Sequence, residues 1–388
     1  MLLFLSLLAL SAHAGIQVSE ATSYSVDSID CNDEDDDDTN DCTLAQRRKK
    51  RLLQRVTHSP LTDSEIDPFP PLGWHGTTLL TGMAGSDEVV GWQGSTLADA
   101  IDDPMVDEAL HIVGTAGERF GTALSAQEGA LLVGAPGSGR VYLFIDEANA
   151  TDQAAATLQG AAGSGSEVAL GDFDGDGQLD AAVSNSENAI TYLVFGPLVG
   201  ELDLESGLTF TGGGDLAVGD WNGDGLADLA VASVNGPVDI YAGGSLQLTA
   251  HLETAAGSIA FADTDGDGSD DLAVGIASWD AVDIYRGGDN ADDWADQYFW
   301  GDWWSGTGTS VHGDDQGGLW ITSPDSGGSM SYVAAGSESG HLAEVAAQTL
   351  YADGEFSLNT AFAADIDGNG VLDMVSGAGL ETTVLYRY

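Results

Sequence analysis

From about residue 72 onward the chain is written in short apolar runs separated by stretches rich in glycine and aspartate. No run continues with the 3.6-residue period of an amphipathic helix. Val238-Asp-Ile-Tyr241 and Val282-Asp-Ile-Tyr285 alternate apolar and polar positions as half-buried strands do, and both lead into Gly-Gly turns. Glu167–Gly171 reads as a short strand entering an acidic stretch, and Ala181–Val183, just after it, as a strand buried on both faces. The pattern predicts an all-β chain.

The acidic stretches are copies of one nine-residue pattern. They begin at Asp172 (DFDGDGQLD), Asp220 (DWNGDGLAD), Asp263 (DTDGDGSDD) and Asp365 (DIDGNGVLD), and each is followed at once by an apolar run. Oxygen side chains stand at positions 1, 3, 5 and 9, and glycines at 4 and 6. Such spacing suits a hard cation such as Ca²⁺, which needs several oxygens converging at ~2.3–2.6 Å from a sharply turning loop. The backbone carbonyls at position 7, those of Gln178, Leu226, Ser269 and Val371, are further candidate ligands. An EF-hand would need a glutamate at position 12 and flanking helices; here that position is Val183, Val231, Val274 and Ser376. The plainer reading is that Asp/Gly stretches make good hairpin turns, but four copies in fixed phase with a strand argue for cation sites.

The loop starts at 172, 220 and 263 are 48 and 43 residues apart, and the next interval, 102 residues, holds two periods. A decayed copy near 310–324 fills the gap, and counting back from 172 reaches weaker units near 124 and 76. Seven units of 40–50 residues, each with about four strands, are the signature of propeller blades. The expectation is a seven-bladed β-propeller over residues 72–388, with calcium loops in four blades.

Phe120-Gly121, Gly134-Ala135-Pro136 and the DxDxDGxxD loops resemble the FG-GAP repeat of integrin α-subunit propellers and their bacterial relatives. The resemblance implies a seven-bladed propeller with Ca²⁺ loops on one face and partner-binding loops usually on the other. Carried over by position, the implied side-chain ligands are Asp172, Asp174, Asp176 and Asp180; Asp220, Asn222, Asp224 and Asp228; Asp263, Asp265, Asp267 and Asp271; and Asp365, Asp367, Asn369 and Asp373. Phe-Gly and Gly-Ala-Pro are clear in one unit only, and no integrin leg or inserted ligand-binding domain is present, so integrin-like signalling is not implied.

Charge narrows the partners. With 63 acidic against 10 basic residues the formal net charge is −53, which repels nucleic acid and anionic membranes. Residues 1–14, an apolar run ending Ala12-His13-Ala14, predict a secretory signal, and no later segment is apolar enough to span a membrane. Residues 15–71 read as a largely disordered linker: an acidic loop bracketed by Cys31 and Cys42, which export would oxidise to a disulfide, then the basic run Arg47–Arg51. That basic run is open to reading as a processing site, a partner for the acidic loop or a plain linker.

Catalytic motifs are missing: no HExxH, GxSxG or GxxxxGK[ST] occurs. The best binding surface is aromatic. Trp294, Tyr298, Phe299, Trp300, Trp303 and Trp304 crowd into a segment studded with Asp292, Asp293, Asp296 and Asp302. Aromatic platforms beside carboxylates suit sugar rings, and Trp300, Trp303 and Trp304 are the candidate ligand-binding residues; packing of these rings between blades is the alternative. Together these features predict a secreted, non-enzymatic calcium-binding module for an extracellular glycan or protein. A calcium-dependent polysaccharide lyase or other propeller hydrolase, and a surface-layer component, are the competing readings.

Overall fold

The computed structural model describes residues 78–93, 110–127, 129–145, 154–234, 236–314 and 316–324, with shorter stretches at 16–20, 53–57, 72–75, 105–106, 329–333, 340–341, 348–351, 360, 362–364, 373–377 and 382–386. The described residues are strands, turns and a few 3₁₀ turns, with no α-helix. Residues 1–14, expected as a secretory signal, the cysteine-bracketed loop, the basic run 47–51 and most of the loop at 365–373 lie outside them.

The strands form seven sheets. The fifth shows the plan: Ser258–Ala262, Asp271–Ile276, Ala281–Tyr285 and Gln297–Trp300 run antiparallel in chain order, with Gly340–His341 added in parallel at the outer edge. The third (Ser164–Gly171, Asp180–Asn185, Ile190–Val194, Leu208–Thr211) and the fourth (Leu216–Gly219, Asp228–Ala232, Val238–Tyr241, Leu248–Leu252) repeat it. One sheet is assembled from both ends of the chain: Phe362–Ala364, Asp373–Gly377 and Thr382–Tyr386 continue into Leu53–Thr57, Ile16–Glu20 and Met105–Val106. That sheet draws strands from both sides of the domain boundary expected at residue 72.

Second strands are the most enclosed. Every residue of Ala130–Ala135, Asp180–Asn185, Asp228–Ala232, Asp271–Ile276 and Leu319–Ser323 is buried, as a strand covered on both faces should be. The core therefore lies between sheets. Leu132, Val141 and Leu158 of the second sheet (Leu124–Gln127, Ala130–Ala135, Arg140–Ile145, Ala156–Gln159) meet Leu170, Val183 and Tyr192 of the third, while Ile240 and Leu252 of the fourth meet Leu272 and Val274 of the fifth. At ~25 cal/mol per Å² of apolar surface removed from water, these shared layers, rather than any single sheet, carry the fold.

First strands neighbour one another in chain order. Leu72–His75 contacts Leu124–Gln127, and the succession runs through Ser164–Gly171, Leu216–Gly219, Ser258–Ala262 and Val311–Gly313. Phe362–Ala364 contacts Leu72–His75, and the His312 ring is hydrogen-bonded to the Ala363 backbone. The approach is close enough to dictate sequence. A Cβ on Gly134 would stand 2.1 Å from the Gly165 carbonyl oxygen, and one on Gly275 2.2 Å from that of Gly308. The glycine of Gly134-Ala135-Pro136 is therefore required by the neighbouring sheet.

Candidate metal loops and an aromatic cleft

Each of the three described acidic loops joins the first strand of its sheet to the second. Glycines make the turn possible: Gly175, Gly177, Gly223, Gly225, Gly266 and Gly268 all have φ between 72° and 94°, a region other residues avoid. Backbone N–H groups then gather on the first aspartate. Asp172 accepts from Gly175, Asp176 and Gly177 at 2.8–3.0 Å, and Asp263 accepts from Gly266, Asp267 and Gly268 at 2.7–3.1 Å. Each of Asp172, Asp174 and Asp176 brings a carboxylate oxygen within 4.8 Å of those of the other two, and so do Asp263, Asp265 and Asp267. Three like charges that close repel one another, and a bound cation would relieve them.

The second loop differs. Its third position is Asn222, whose amide nitrogen lies 3.4 Å from Asp228 Oδ1, while Asp220 accepts from Asp224 and Gly225 at 2.9 and 2.8 Å. At position 7, the N–H groups of Gln178, Leu226 and Ser269 each donate to the carboxylate two residues earlier. The fourth loop, with Asp365, Asp367, Asn369 and Val371, lies outside the described residues; Asp373 opens the strand Asp373–Gly377.

Position 9 has a role that its spacing alone does not reveal. Asp180 is fully buried, and its two oxygens accept from Phe173 N at 2.9 Å and Gly196 N at 2.7 Å. Asp228 accepts from Asn222 N and Gly243 N, and Asp271 from Thr264 N and Gly287 N. Each therefore ties its own loop to the turn after the sheet's third strand. Burial pushes the carboxyls of Asp180 and Asp271 up to about 6 and raises that of Asp228, against the backbone donors that pull the other way.

Position 2 wedges between sheets. Phe173 is buried against Leu229 and Val231 of the next sheet, and its carbonyl accepts from Gly244 N at 2.8 Å. Trp221 packs near Leu272 and Tyr285, and its carbonyl accepts from Gly288 N at 2.7 Å. Asp270, absent from the expected ligands, accepts from Asp220 N at 2.7 Å and donates its own N–H to Asp220 O, fastening the second loop to the third. In the decayed unit one residue replaces the ligand set: Asp314 accepts from Gln316 N, Gly318 N and Trp320 Nε1.

The tryptophans segregate. Phe299 is buried in the layer between the fifth and sixth sheets, whereas Trp279, Trp300, Trp303 and Trp304 are 75%, 60%, 89% and 85% exposed. With Tyr298 they line an open, mainly apolar cleft of about 620 Å³. Trp294 is also exposed but stands outside it. The cleft is held by Asp280, a left-handed residue (φ 54°) closing the 3₁₀ turn Ala277–Trp279. Its carboxylate accepts from Trp304 N at 2.8 Å and Gly306 N at 2.7 Å, and its carbonyl from Gly301 N at 2.9 Å. Trp279, Asp280 and Asp283 were not among the expected site residues, because their nearness to Trp300 follows only from hairpin register. A second opening of about 600 Å³, lined by Thr122, Ser166, Glu167, Asp215 and Ser258 among others, lies where the first strands begin. Among the described residues, neither opening is lined by lysine, arginine or histidine. Arg140 pairs with Glu118 at 3.2 Å and Arg286 with Asp265 at 3.4 Å. No helix among the described residues is long and apolar enough to cross a membrane.

No curated protein matches this sequence. A family model does: residues 220–274, which run from the second acidic loop through the strand after the third, match the FG-GAP-like repeat. The chain carries an FG-GAP-like repeat.

Proposed function

We propose that the chain is a secreted, calcium-stabilised β-propeller of seven blades that binds an extracellular glycan or protein and catalyses no reaction of its own. The aromatic cleft carries this reading: five rings face one opening, Trp279 from a 3₁₀ turn, Tyr298 and Trp300 from a strand, and Trp303 and Trp304 from the loop that Asp280 holds in place, and exposed apolar surface of this kind marks binding sites. Saccharide rings suit indole faces, and neighbouring carboxylates suit their hydroxyls. The succession of first strands, with 362–364 returning to 72–75, is what a closed ring of seven blades requires, and the sheet built from both termini would lock it. Calcium would sit among Asp172, Asp174 and Asp176, and among Asp263, Asp265 and Asp267, with the loops at 220 and 365 as further sites. Extracellular calcium sites commonly bind at ~10⁻⁴–10⁻³ M, a range matched to an exterior rich in the ion.

The test is a glycan array probed with the calcium-loaded protein and its Trp303→Ala variant. A saccharide bound by the first and lost by the second supports the reading. Saccharide capture that persists unchanged in the variant, or none at all, removes the cleft as a saccharide site.

A further inference from the structure

The cleft has a floor as well as walls. In the hairpin of Ala281–Tyr285 and Gln297–Trp300, Asp283 stands opposite Tyr298 and Ala281 opposite Trp300. Alternate residues on paired strands share a face, so these four side chains lie together. Tyr298 and Trp300 are in contact, ring centroids 5.6 Å apart at 46°, and the small Ala281 leaves room beside the indole. Among the described residues no group donates a hydrogen bond to the Asp283 carboxylate, and burial alone raises its pKa. Asp280 is consumed by the loop it holds; Asp283 is not.

A carboxylate among aromatic faces, in a chain of net charge −53, is complementary to positive charge. The indole quadrupole attracts a cation by ~0.5–2 kcal/mol, and the field of the whole chain concentrates cations and repels anions. Resting on the saccharide reading above, we infer that the cleft selects a cationic saccharide, a hexosamine whose ammonium pairs with Asp283 while its ring lies on Trp300 and Trp303. Acidic polysaccharides are rejected by the same charge, and N-acetylated ones forgo the ion pair.

The experiment compares β-1,4-linked glucosamine tetramer, its N-acetylated form and a uronic-acid oligomer, by calorimetry and tryptophan fluorescence near pH 6. Salt at ~150 mM screens the long-range attraction that any polycation would feel. The glucosamine tetramer should bind about tenfold more tightly than the N-acetylated one, and the uronic-acid oligomer not measurably. Asp283→Asn should erase the tenfold preference, while Glu205→Gln, at an exposed residue of the 3₁₀ turn Leu204–Ser206 with the same change in charge, should leave it intact. Equal binding of the two tetramers, or an unaltered preference in Asp283→Asn, overturns the charge selection and leaves the saccharide site standing. If neither tetramer binds, the cationic-saccharide selection falls, and the saccharide reading falls with it only if the glycan array also shows no capture that Trp303→Ala abolishes. A calcium-dependent melting midpoint preserved in each variant shows that the fold survived the substitution.

Discussion

The acidic loop at 172–180 and the aromatic cleft beside Trp300 are both organised by aspartates, and in each the aspartates divide their roles. At the loop, Asp180 faces inward and holds two backbone N–H groups, while Asp172, Asp174 and Asp176 converge at the surface. At the cleft, Asp280 holds the loop that carries Trp303 and Trp304, while Asp283 lines the floor without an internal donor. The difference is in reach. The acidic cluster is built within one short loop, but the cleft needs a hairpin to bring 279–283 beside 298–304. A carboxylate's value therefore depends on whether the backbone has already claimed it, and that division can be broken one residue at a time.

The largest effect should come from a buried holder. Asp180→Ala leaves the N–H groups of Phe173 and Gly196 without partners inside the protein and should cost ~2–5 kcal/mol of stability even in chelator. Asp176→Ala should cost less than ~0.5 kcal/mol in chelator, since among the described residues its exposed carboxylate accepts only from Gln178, two positions on. Chemical unfolding of both variants without calcium reads the contrast. Equal losses would mean that the loop has no internal holder.

Calcium should reverse the order of importance among the surface carboxylates. At a hundredfold excess over its dissociation constant the ion would add ~2.7 kcal/mol per site by linkage, seen as a rise in melting midpoint from chelator to ~10 mM calcium. Asp174→Ala combined with Asp267→Ala removes two of the four proposed sites and should roughly halve that rise while barely changing the chelated midpoint. An unchanged midpoint in wild-type protein would reduce the loops to acidic turns.

The cleft should respond more in binding than in stability. Asp280→Ala frees the loop at 301–306 and should cost ~1–2 kcal/mol of stability together with about a tenfold loss of saccharide affinity. Asp280→Asn, which keeps one acceptor and tolerates the left-handed backbone, should recover much of both. Trp303→Ala should shift stability by no more than ~0.5 kcal/mol, because the ring is 89% exposed, yet abolish binding. Calorimetry on the three variants separates a ring that binds from an aspartate that positions it.

Much of this was legible in the chain, and for a physical reason: strand, turn and ligand spacing are local properties. The three described loops, the buried second strands and a β-sheet chain all follow from periods of two and nine. Spacing marks Asp180 as an oxygen donor but does not show its backbone partners, because Gly196 lies 16 residues away, just past the end of another strand. Phe173 and Trp221 could have been recognised: an aromatic at the second position of an acidic loop is out of place in a solvated turn and signals a neighbour to pack against. Asp270 and Asp283 could not, since what distinguishes them is register with a sheet partner. Likewise nothing in the run Leu53–Thr57 announces that it pairs with Thr382–Tyr386, because the alternation of a five-residue strand carries no address.

The smallest effect is a matter of sign with pH, and it sharpens the same division. In the metal-free protein Asp180 and Asp271 have folded pKa values pushed up to about 6 by burial, above the ~3.9 of an unfolded aspartate. Between those values the folded chain binds more protons than the unfolded one, so these holders make the protein more stable as pH falls from about 6 toward 4. His312 acts in the opposite direction: burial lowers it to about 4, against the opposing pull of Asp314 and the Ala363 backbone. From ~6.5 downward the unfolded chain takes up a proton that the folded chain refuses, and stability falls until about pH 4. The two trends overlap and partly cancel in wild-type protein in chelator. His312→Gln removes the falling one, so its melting midpoint should gain on that of wild type as pH drops from 6.5 to 4. Asp180→Asn added to that variant should reduce the remaining rise and leave the share that Asp271 contributes. A midpoint difference between wild type and His312→Gln that stays constant across this range would show that His312 titrates normally and is not held neutral at the contact with Ala363.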